Sequence, residues 1–307
     1  MRLARAAVAV FTFAAGCSVL GQRNAQKPPG THYSAAFIRN DQLIAFPFDG
    51  SEVRISLPAI VSGMTFSADG RTIYGIVGPN GGPRRLSAIT INPSRLTRLP
   101  HSDEFNNYFN SLTVDTAGDK TVISAMYGQS AVQQCGLFEL DITMGTIEKI
   151  IDNLGSGCDY LSSWSDLSIS PDGTRVVGTA RKGQVGVVNL KEHRVEKLWA
   201  GTAASWSPDG KWIAALSFAE QMEIELIRTS DLSLQRRLGS DETGRVDWSP
   251  DSRYLLVFSN GFCGLGTGYV GSLQTLDIET GQRLTIESSK CRVNLMSTGW
   301  VSDDVLK

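Results

Sequence analysis

The chain has 307 residues, with 29 Lys and Arg against 31 Asp and Glu, a formal charge of −2 and 41% hydrophobic residues. This length is sufficient to bury a large core, and a near-neutral charge without a basic block argues against nucleic-acid binding through phosphate contacts. The composition, in which 31 residues are Gly, excludes wholesale disorder and indicates many turns.

Residues 1–21 have the pattern of a secretory signal peptide. Arg2 and Arg5 precede an apolar run over residues 6–15, and small residues follow it. The apolar run is far shorter than the roughly 18 residues that a membrane-spanning helix needs. We therefore expect an exported protein of the periplasm or outer membrane, with residues 22–30 as a flexible tether and residues 31–307 as a single folded domain.

The end of the signal sequence offers two processing routes. The segment Ala14-Ala15-Gly16-Cys17 resembles a bacterial lipobox. That resemblance implies a lipid thioether on Cys17, and Ser18 after it implies sorting to the outer membrane. Ordinary cleavage after Gly21 is the alternative, and any membrane contact is expected only through the lipid.

A turn motif recurs along the rest of the chain. Each copy is a large apolar residue followed by Ser-Pro-Asp-Gly or a variant of it. Pro presets φ for the turn and Gly accepts a left-handed conformation, so each copy predicts a reversal between two antiparallel strands. Three more apolar or mixed strands follow within each repeat, which predicts four-stranded propeller blades. The apolar residues of the copies are Phe66, Val114, Ile169, Trp206, Trp248 and Trp300.

The spacing of these copies predicts the number of blades. The five intervals average about 47 residues, which is typical of propeller repeats. A further blade is assembled from both chain ends, with strands over residues 33–38, 42–48 and 52–57 and an innermost strand over 295–301. The sequence therefore predicts an all-β, six-bladed β-propeller, and seven blades is the alternative if one copy is hidden in the longest interval.

Residues next to the turns predict the contacts between blades. The residue before the turn is large in every repeat, and the residue preceding it is mostly small, so neighbouring blades should interlock. Asp247 is the one ionisable residue at the small position. It is our candidate residue for the central channel.

Four cysteines remain after Cys17, an even number that favours disulfides in an exported protein. In a four-stranded meander the loops that hold them emerge on one face, which makes Cys135–Cys158 and Cys263–Cys291 plausible pairs. The surrounding long loops are a candidate binding face, although the bridges could simply hold these loops together. Its candidate residues are Tyr127, Asp159, Tyr160, Phe262 and Tyr269.

The repeated Trp-Ser-Pro-Asp-Gly motif, as at Trp206 and Trp248, resembles the WD40-like β-propeller repeat of bacterial TolB-type proteins. The resemblance covers nearly all of residues 31–307 and implies a propeller. It also extends to the propeller domains of prolyl-oligopeptidase-like peptidases. TolB has a further N-terminal domain and these peptidases a hydrolase domain, and we expect neither in this chain, so the resemblance is specific for architecture and weak for activity.

Catalytic and metal motifs are absent from the sequence. It has no Gly-x-Ser-x-Gly elbow, and its three histidines lack partners at metal-ligand spacing. We therefore assign no catalytic residue, metal or cofactor, and expect a non-enzymatic scaffold of the cell envelope that binds a protein or glycan. The alternative is a small-molecule hydrolase or lyase, lactonase-like, with its site at the channel mouth, an analogy of fold only.

Overall fold

The computed structural model describes residues 32–39, 41–47, 51–59, 61–78, 85–102, 105–106, 113–117, 120–127, 134–152, 165–180, 183–217, 222–239, 244–262, 269–289 and 298–307. Within these ranges the chain is built almost entirely of strands. The one helix described is a short 3-10 turn at Asp303–Leu306, and no helix there has the length and apolar character needed to cross a membrane.

The strands follow one another at short intervals, as the repeated turns predict. In the first half they are β1 (Tyr33–Arg39), β2 (Gln42–Phe46), β3 (Val53–Ser56), β4 (Val61–Phe66), β5 (Thr72–Val77), β6 (Arg85–Thr90), β7 (Arg95–Arg98), β8 (Phe105–Asn106), β9 (Thr113–Ala117), β10 (Lys120–Tyr127), β11 (Gln134–Asp141) and β12 (Thr146–Asp152). In the second half they are β13 (Ser165–Ile169), β14 (Arg175–Ala180), β15 (Gln184–Asn189), β16 (Arg194–Ala200), β17 (Thr202–Trp206), β18 (Trp212–Ser217), β19 (Glu223–Arg228), β20 (Ser233–Gly239), β21 (Gly244–Trp248), β22 (Tyr254–Phe262), β23 (Tyr269–Asp277), β24 (Arg283–Ser289) and β25 (Thr298–Ser302).

Five sheets are regular four-stranded blades, and every pairing in them is antiparallel. Their strand orders are β25-β1-β2-β3, β4-β5-β6-β7, β13-β14-β15-β16, β17-β18-β19-β20 and β21-β22-β23-β24. The predicted all-β propeller with antiparallel four-stranded blades is therefore confirmed.

The predicted number of six or seven such blades needs correction. The described residues form five four-stranded blades, and β8 to β12 form a sheet of five strands. The physical reason is the length of β10, which pairs with β9 over Lys120 to Ser124 and with the short β8 at Met126 and Tyr127. One long strand thus carries two shorter partners along the same edge.

The two ends of the domain meet in one blade, as the sequence predicted. Strand β25 pairs antiparallel with β1, with Trp300 opposite Ala35. Beyond the strand, Ser34 Oγ donates to Asp303 Oδ1 at 2.6 Å and the Asp303 amide donates to the His32 carbonyl at 2.9 Å. This pairing covers the edge that β1 would otherwise expose, and an exposed edge promotes aggregation.

The repeated turns are held by hydrogen bonds within the motif. In the copy at Ser207, the hydroxyl donates to Asp209 Oδ1 at 2.7 Å and accepts from the Trp212 amide at 2.9 Å. Gly210 follows with φ of +73°, a conformation that glycine adopts at little cost. The copies at Ser67, Ser170 and Ser249 repeat the pair of contacts. Local chemistry therefore sets every one of these reversals.

Neighbouring blades interlock through the large residues before the turns. The Trp248 indole Nε1 donates to the Ser205 carbonyl at 3.0 Å, and Trp300 Nε1 donates to the Asp247 carbonyl at 3.4 Å. Between the β13 and β17 blades the tie differs, because the Trp206 amide donates to Ser168 Oγ at 2.9 Å. In each pair, the residue two before the turn of one blade thus accepts a hydrogen bond from the tryptophan of the next blade.

The hydrophobic core is divided among the gaps between blades. We call the blade β25-β1-β2-β3, which both chain ends form, the closing blade. One cluster, which includes Leu43, Ile73 and Val301, joins it to the β4–β7 blade. Another, which includes Phe37 and Leu256, joins the closing blade to the β21–β24 blade. Both faces of the closing blade are therefore buried against its neighbours.

Candidate functional site: the central channel

The innermost strands of the sheets surround a central channel. In the order β25, β4, β9, β13, β17 and β21, each of these strands contacts the next, and β21 contacts β25. A cavity of about 250 Å³ lies among them and is lined by residues of all six strands. It is the concave site that the geometry of the fold creates, and concave sites are where small ligands bind.

Four apolar turn residues line one end of the cavity. Pro171, Pro208 and Pro250 line it, and Ala68 occupies the equivalent place in the β4–β7 blade. All four belong to the turns between the first and second strands of their blades, so we call this side of the propeller the turn face. The turn motif therefore has a second role, because it supplies the collar of the channel.

A carboxylate and a guanidinium are paired inside the channel. Arg245 Nε donates to Asp247 Oδ1 at 3.1 Å, and Thr298 Oγ1 donates to Asp247 Oδ2 at 2.9 Å. The Asp247 side chain is 18% exposed and that of Arg245 27%. Both oxygens of Asp247 thus accept hydrogen bonds, which fixes the carboxylate while it remains accessible from the cavity.

A second carboxylate, Asp166, lies on the β13 side of the cavity. Its backbone has a φ of +48°, and Ala203 in the neighbouring β17 has a φ of +50°. Both lie at irregularities in strand register. Such a conformation costs an alanine roughly 1–2 kcal/mol, and residues held in it cluster at functional sites.

One hydroxyl connects these two unusual residues. Thr179 Oγ1 donates to Asp166 Oδ2 at 3.1 Å and accepts from the Ala203 amide at 2.9 Å. It is also 3.2 Å from Thr202 Oγ1. The network is partly or fully buried, so it holds the two irregular strands in register across the gap between their blades.

Hydroxyl groups complete the wall of the cavity. Thr65, Ser168 and Ser205 line it and are partly exposed. Ser168 Oγ accepts from the Trp206 amide, and within the described part of the chain the hydroxyl hydrogens of Ser168 and Ser205 have no acceptor. Among the lining residues that the structure describes, Asp166, Asp247 and Arg245 are ionisable.

Of the predicted site residues that the structure describes, Asp247 lines this cavity. Tyr127 ends β10, and Phe262 and Tyr269 pair at the far end of the β22–β23 hairpin. The antiparallel order puts these ends on the side opposite the turn face. Cys135 lies at the start of β11. The remaining predicted residues, Cys17, Cys158, Asp159, Tyr160, Cys263 and Cys291, lie outside the described residues.

Sequence reasoning missed Asp166 and Arg245. Arg245 could have been found, because it lies two residues before Asp247 on one strand and alternate residues point to the same face. Asp166 carried no such signal, since its place in the cavity depends on the register shift in β13. Within the described ranges no three His, Cys, Asp or Glu side chains are grouped so as to hold a metal ion.

Comparisons with known proteins identify the architecture. TolB from Acinetobacter baumannii superposes with a TM-score of 0.63 at 14% identity, over 88% of this chain and 66% of that one. A protein assigned as TolB from Agrobacterium tumefaciens gives 0.58 at 17% identity, over 84% and 89%. This chain has the TolB-type β-propeller fold. It spans just under two thirds of the Acinetobacter protein's length.

The TolB-type fold does not by itself select an activity. Oligogalacturonate lyase from Vibrio parahaemolyticus superposes with a TM-score of 0.55 at 14% identity, over 83% of this chain and 79% of the lyase. Neither a model of any known protein family nor any curated protein matches the chain. At these identities the likeness establishes the fold alone, so function must be argued from the channel.

Proposed function

We propose that the protein is a non-enzymatic binding module of the cell envelope that holds its ligand in the central channel, entered from the turn face. The observation that carries this proposal is the cavity of about 250 Å³ lined by all six innermost strands. Its apolar collar and polar wall suit recognition, because apolar contacts provide affinity and a few fixed polar groups provide orientation.

We further infer that the five-stranded sheet acts as the sixth blade of a closed ring. Support comes from β9, which contacts β4 on one side and β13 on the other. In this interpretation β9, β10, β11 and β12 correspond to the four strands of a blade, and β8 extends its inner edge. Closure would enclose the innermost edges of the sheets around the channel, where they are short and protected.

Export and anchoring remain part of the proposal and depend on the sequence. The charged and apolar pattern of residues 1–21 supports secretion, and Cys17 is the proposed lipid attachment site. In that environment we propose the bridges Cys135–Cys158 and Cys263–Cys291. Peptide mapping without reductant should give these two cross-linked pairs, and free thiols at all four positions would refute them.

The hydrogen bonds of Asp247 support a positioning role in a binding site. Asp247 accepts one hydrogen bond on each carboxylate oxygen, from Arg245 Nε and from Thr298 Oγ1. A carboxylate held in this way is suited to fix the position of the guanidinium. The lactonase-like or lyase alternative therefore depends on similarity of fold.

The test compares how well the wild type and a variant with a filled channel capture a partner from envelope extracts. Ser205→Phe places a ring in the cavity, and Asp231→Asn is the control because Asp231 is exposed on an outer turn with Arg228. We expect wild type and Asp231→Asn to retain one partner or glycan and Ser205→Phe to lose it. Equal retention by all three would contradict channel binding, and turnover of lactones or esters that Asp247→Asn abolishes would indicate the enzymatic alternative.

A further inference from the structure

The outer edge of the β4–β7 blade is formed by β7 (Arg95–Arg98), and all four residues of this strand are exposed. Just beyond the strand, the Leu99 amide donates to the Leu86 carbonyl of β6 at 3.1 Å. The N–H and C=O groups of successive residues in an antiparallel strand point alternately toward and away from the neighbouring strand. In the register of β7 with β6, the backbone groups of Leu96 and Arg98 therefore point outward. They offer donors and acceptors to a further strand.

The other long outer strands have irregularities that β7 lacks. Each of β12, β16, β20 and β24 has a shift in register against its neighbour, and such bulges protect sheet edges from pairing with another chain. β7 pairs with β6 without a shift. β3 is also regular, but its exposed Arg54 is paired with Glu52. Among the outer strands described, β7 is thus the regular edge whose charges are not paired.

Two arginines on β7 are available to a partner. Within the described part of the chain, the side chains of Arg95 and Arg98 have no hydrogen-bond or ion-pair partner. The exposed cations on the other outer strands are held by carboxylates or by carbonyls of neighbouring turns, and they are Arg54, Arg194, Lys197, Arg236 and Arg237. The charge of β7 therefore favours an acidic partner.

The alternation of side chains along β7 predicts the pattern of that partner. Leu96 and Arg98 lie on one face of the sheet, and Arg95 and Thr97 lie on the other. Leu96 is 41% exposed. Residues directly opposite each other in an antiparallel pair share a face and interact. An added strand with the sequence Glu-Thr-Val-Glu would place an acidic residue opposite each arginine and an apolar residue opposite Leu96.

We propose that β7 is a docking edge for an acidic, extended segment of a partner protein, which adds to the β4–β7 blade as a further strand. This surface lies on the outer rim and is additional to the channel. Backbone hydrogen bonds at Leu96 and Arg98 hold the segment, and ion pairs with Arg95 and Arg98 select it. A second copy of the chain does not fit, because two paired β7 strands would bring four unpaired arginines together.

The experiment is NMR titration of the ¹⁵N-labelled protein at low salt with the capped peptide Thr-Glu-Thr-Val-Glu-Thr. Shifts should concentrate on β7, and the amides of Leu96 and Arg98 should exchange more slowly with solvent. The double variant Arg95→Gln, Arg98→Gln should bind about tenfold more weakly, at roughly twofold to fivefold for each exposed ion pair. Arg54→Gln, at an exposed arginine of β3, is the matched control and should bind like the wild type.

Two further peptides separate strand pairing from attraction by charge. Thr-Glu-Thr-Pro-Glu-Thr keeps both charges but lacks the N–H opposite Leu96, and should bind about fivefold more weakly because one hydrogen bond is lost. Thr-Lys-Thr-Val-Lys-Thr should not bind. Docking at β7 is overturned if the acidic peptide does not bind, if either control peptide binds as tightly, or if the double variant matches the wild type. A dimer that protects the Leu96 and Arg98 amides without peptide would assign this edge to a second copy and would also overturn it.

Discussion

The closure of the propeller can be tested at one glycine of the turn motif. Gly70 and Gly210 occupy the same position in two repeats, with φ of +65° and +73°. A methyl group on Gly70 would lie 2.6 Å from the Ser302 amide nitrogen of the closing strand, whereas one on Gly210 would come no nearer than 4.0 Å to Pro171. The two substitutions by alanine therefore share the same backbone strain and differ in the closing contact.

The magnitudes follow from that difference. Replacing glycine by alanine in the left-handed conformation costs about 1 kcal/mol net, because the strain of roughly 1–2 kcal/mol is partly offset by the smaller chain entropy that alanine loses on folding. This is the whole cost expected for Gly210→Ala. Gly70→Ala adds about 1–3 kcal/mol for overpacking against backbone and about 1 kcal/mol if the hydrogen bond from the Ser302 amide to the Gly70 carbonyl, 3.1 Å in length, is lost. We expect a total loss of about 2–5 kcal/mol.

Urea unfolding of the two variants and the wild type measures these free energies, and hydrogen exchange locates the effect. Gly70→Ala should be at least about 1 kcal/mol less stable than Gly210→Ala, with faster amide exchange in β25 and β1. Equal losses in the two variants, or unchanged exchange in β25, would refute the argument that Gly70 is required for the chain ends to close the propeller.

Three further changes test local features. Ala203→Gly should change the free energy of unfolding by less than about 1 kcal/mol, because relief of the left-handed strain at this position offsets the loss of a buried methyl group and the greater chain entropy of glycine; a loss of about 2 kcal/mol or more in urea, the cost expected without that relief, would contradict this. Burial raises the pKa of Asp209, whereas hydrogen bonds from Ser207 and the Lys211 amide together lower it by more. The pKa of Asp209 is therefore below its usual value. The ionised Asp209 therefore stabilises the fold at neutral pH, and this contribution is lost as pH falls below about 4. In that range the free energy of unfolding of Asp209→Asn should change less with pH than that of the wild type. The same pH dependence in both proteins would count against the role of Asp209. Cys17→Ser should abolish metabolic labelling with palmitate, and persistent labelling would exclude the proposed lipid site.

The turns and the strands that they join could be predicted from the sequence, because their causes are local. Ser207, Asp209 and Gly210 make the contacts of the reversal within six residues, so the motif carries its own structure wherever it occurs. The pairing of the chain ends was also predictable, since the terminal segments together supply the strands of one repeat. Asp247 was found as the exception at a position of small residues.

Tertiary structure alone decided the remaining features. The five-stranded sheet depends on two separate strands meeting β10, and the position of Asp166 depends on a register shift and on Thr179 from the next strand. The cavity joins residues from 65 to 300 that are neighbours only because the blades close around them. Such contacts are set by the packing of whole sheets and leave no periodic mark on the chain, whereas a turn is set by the few residues that form it.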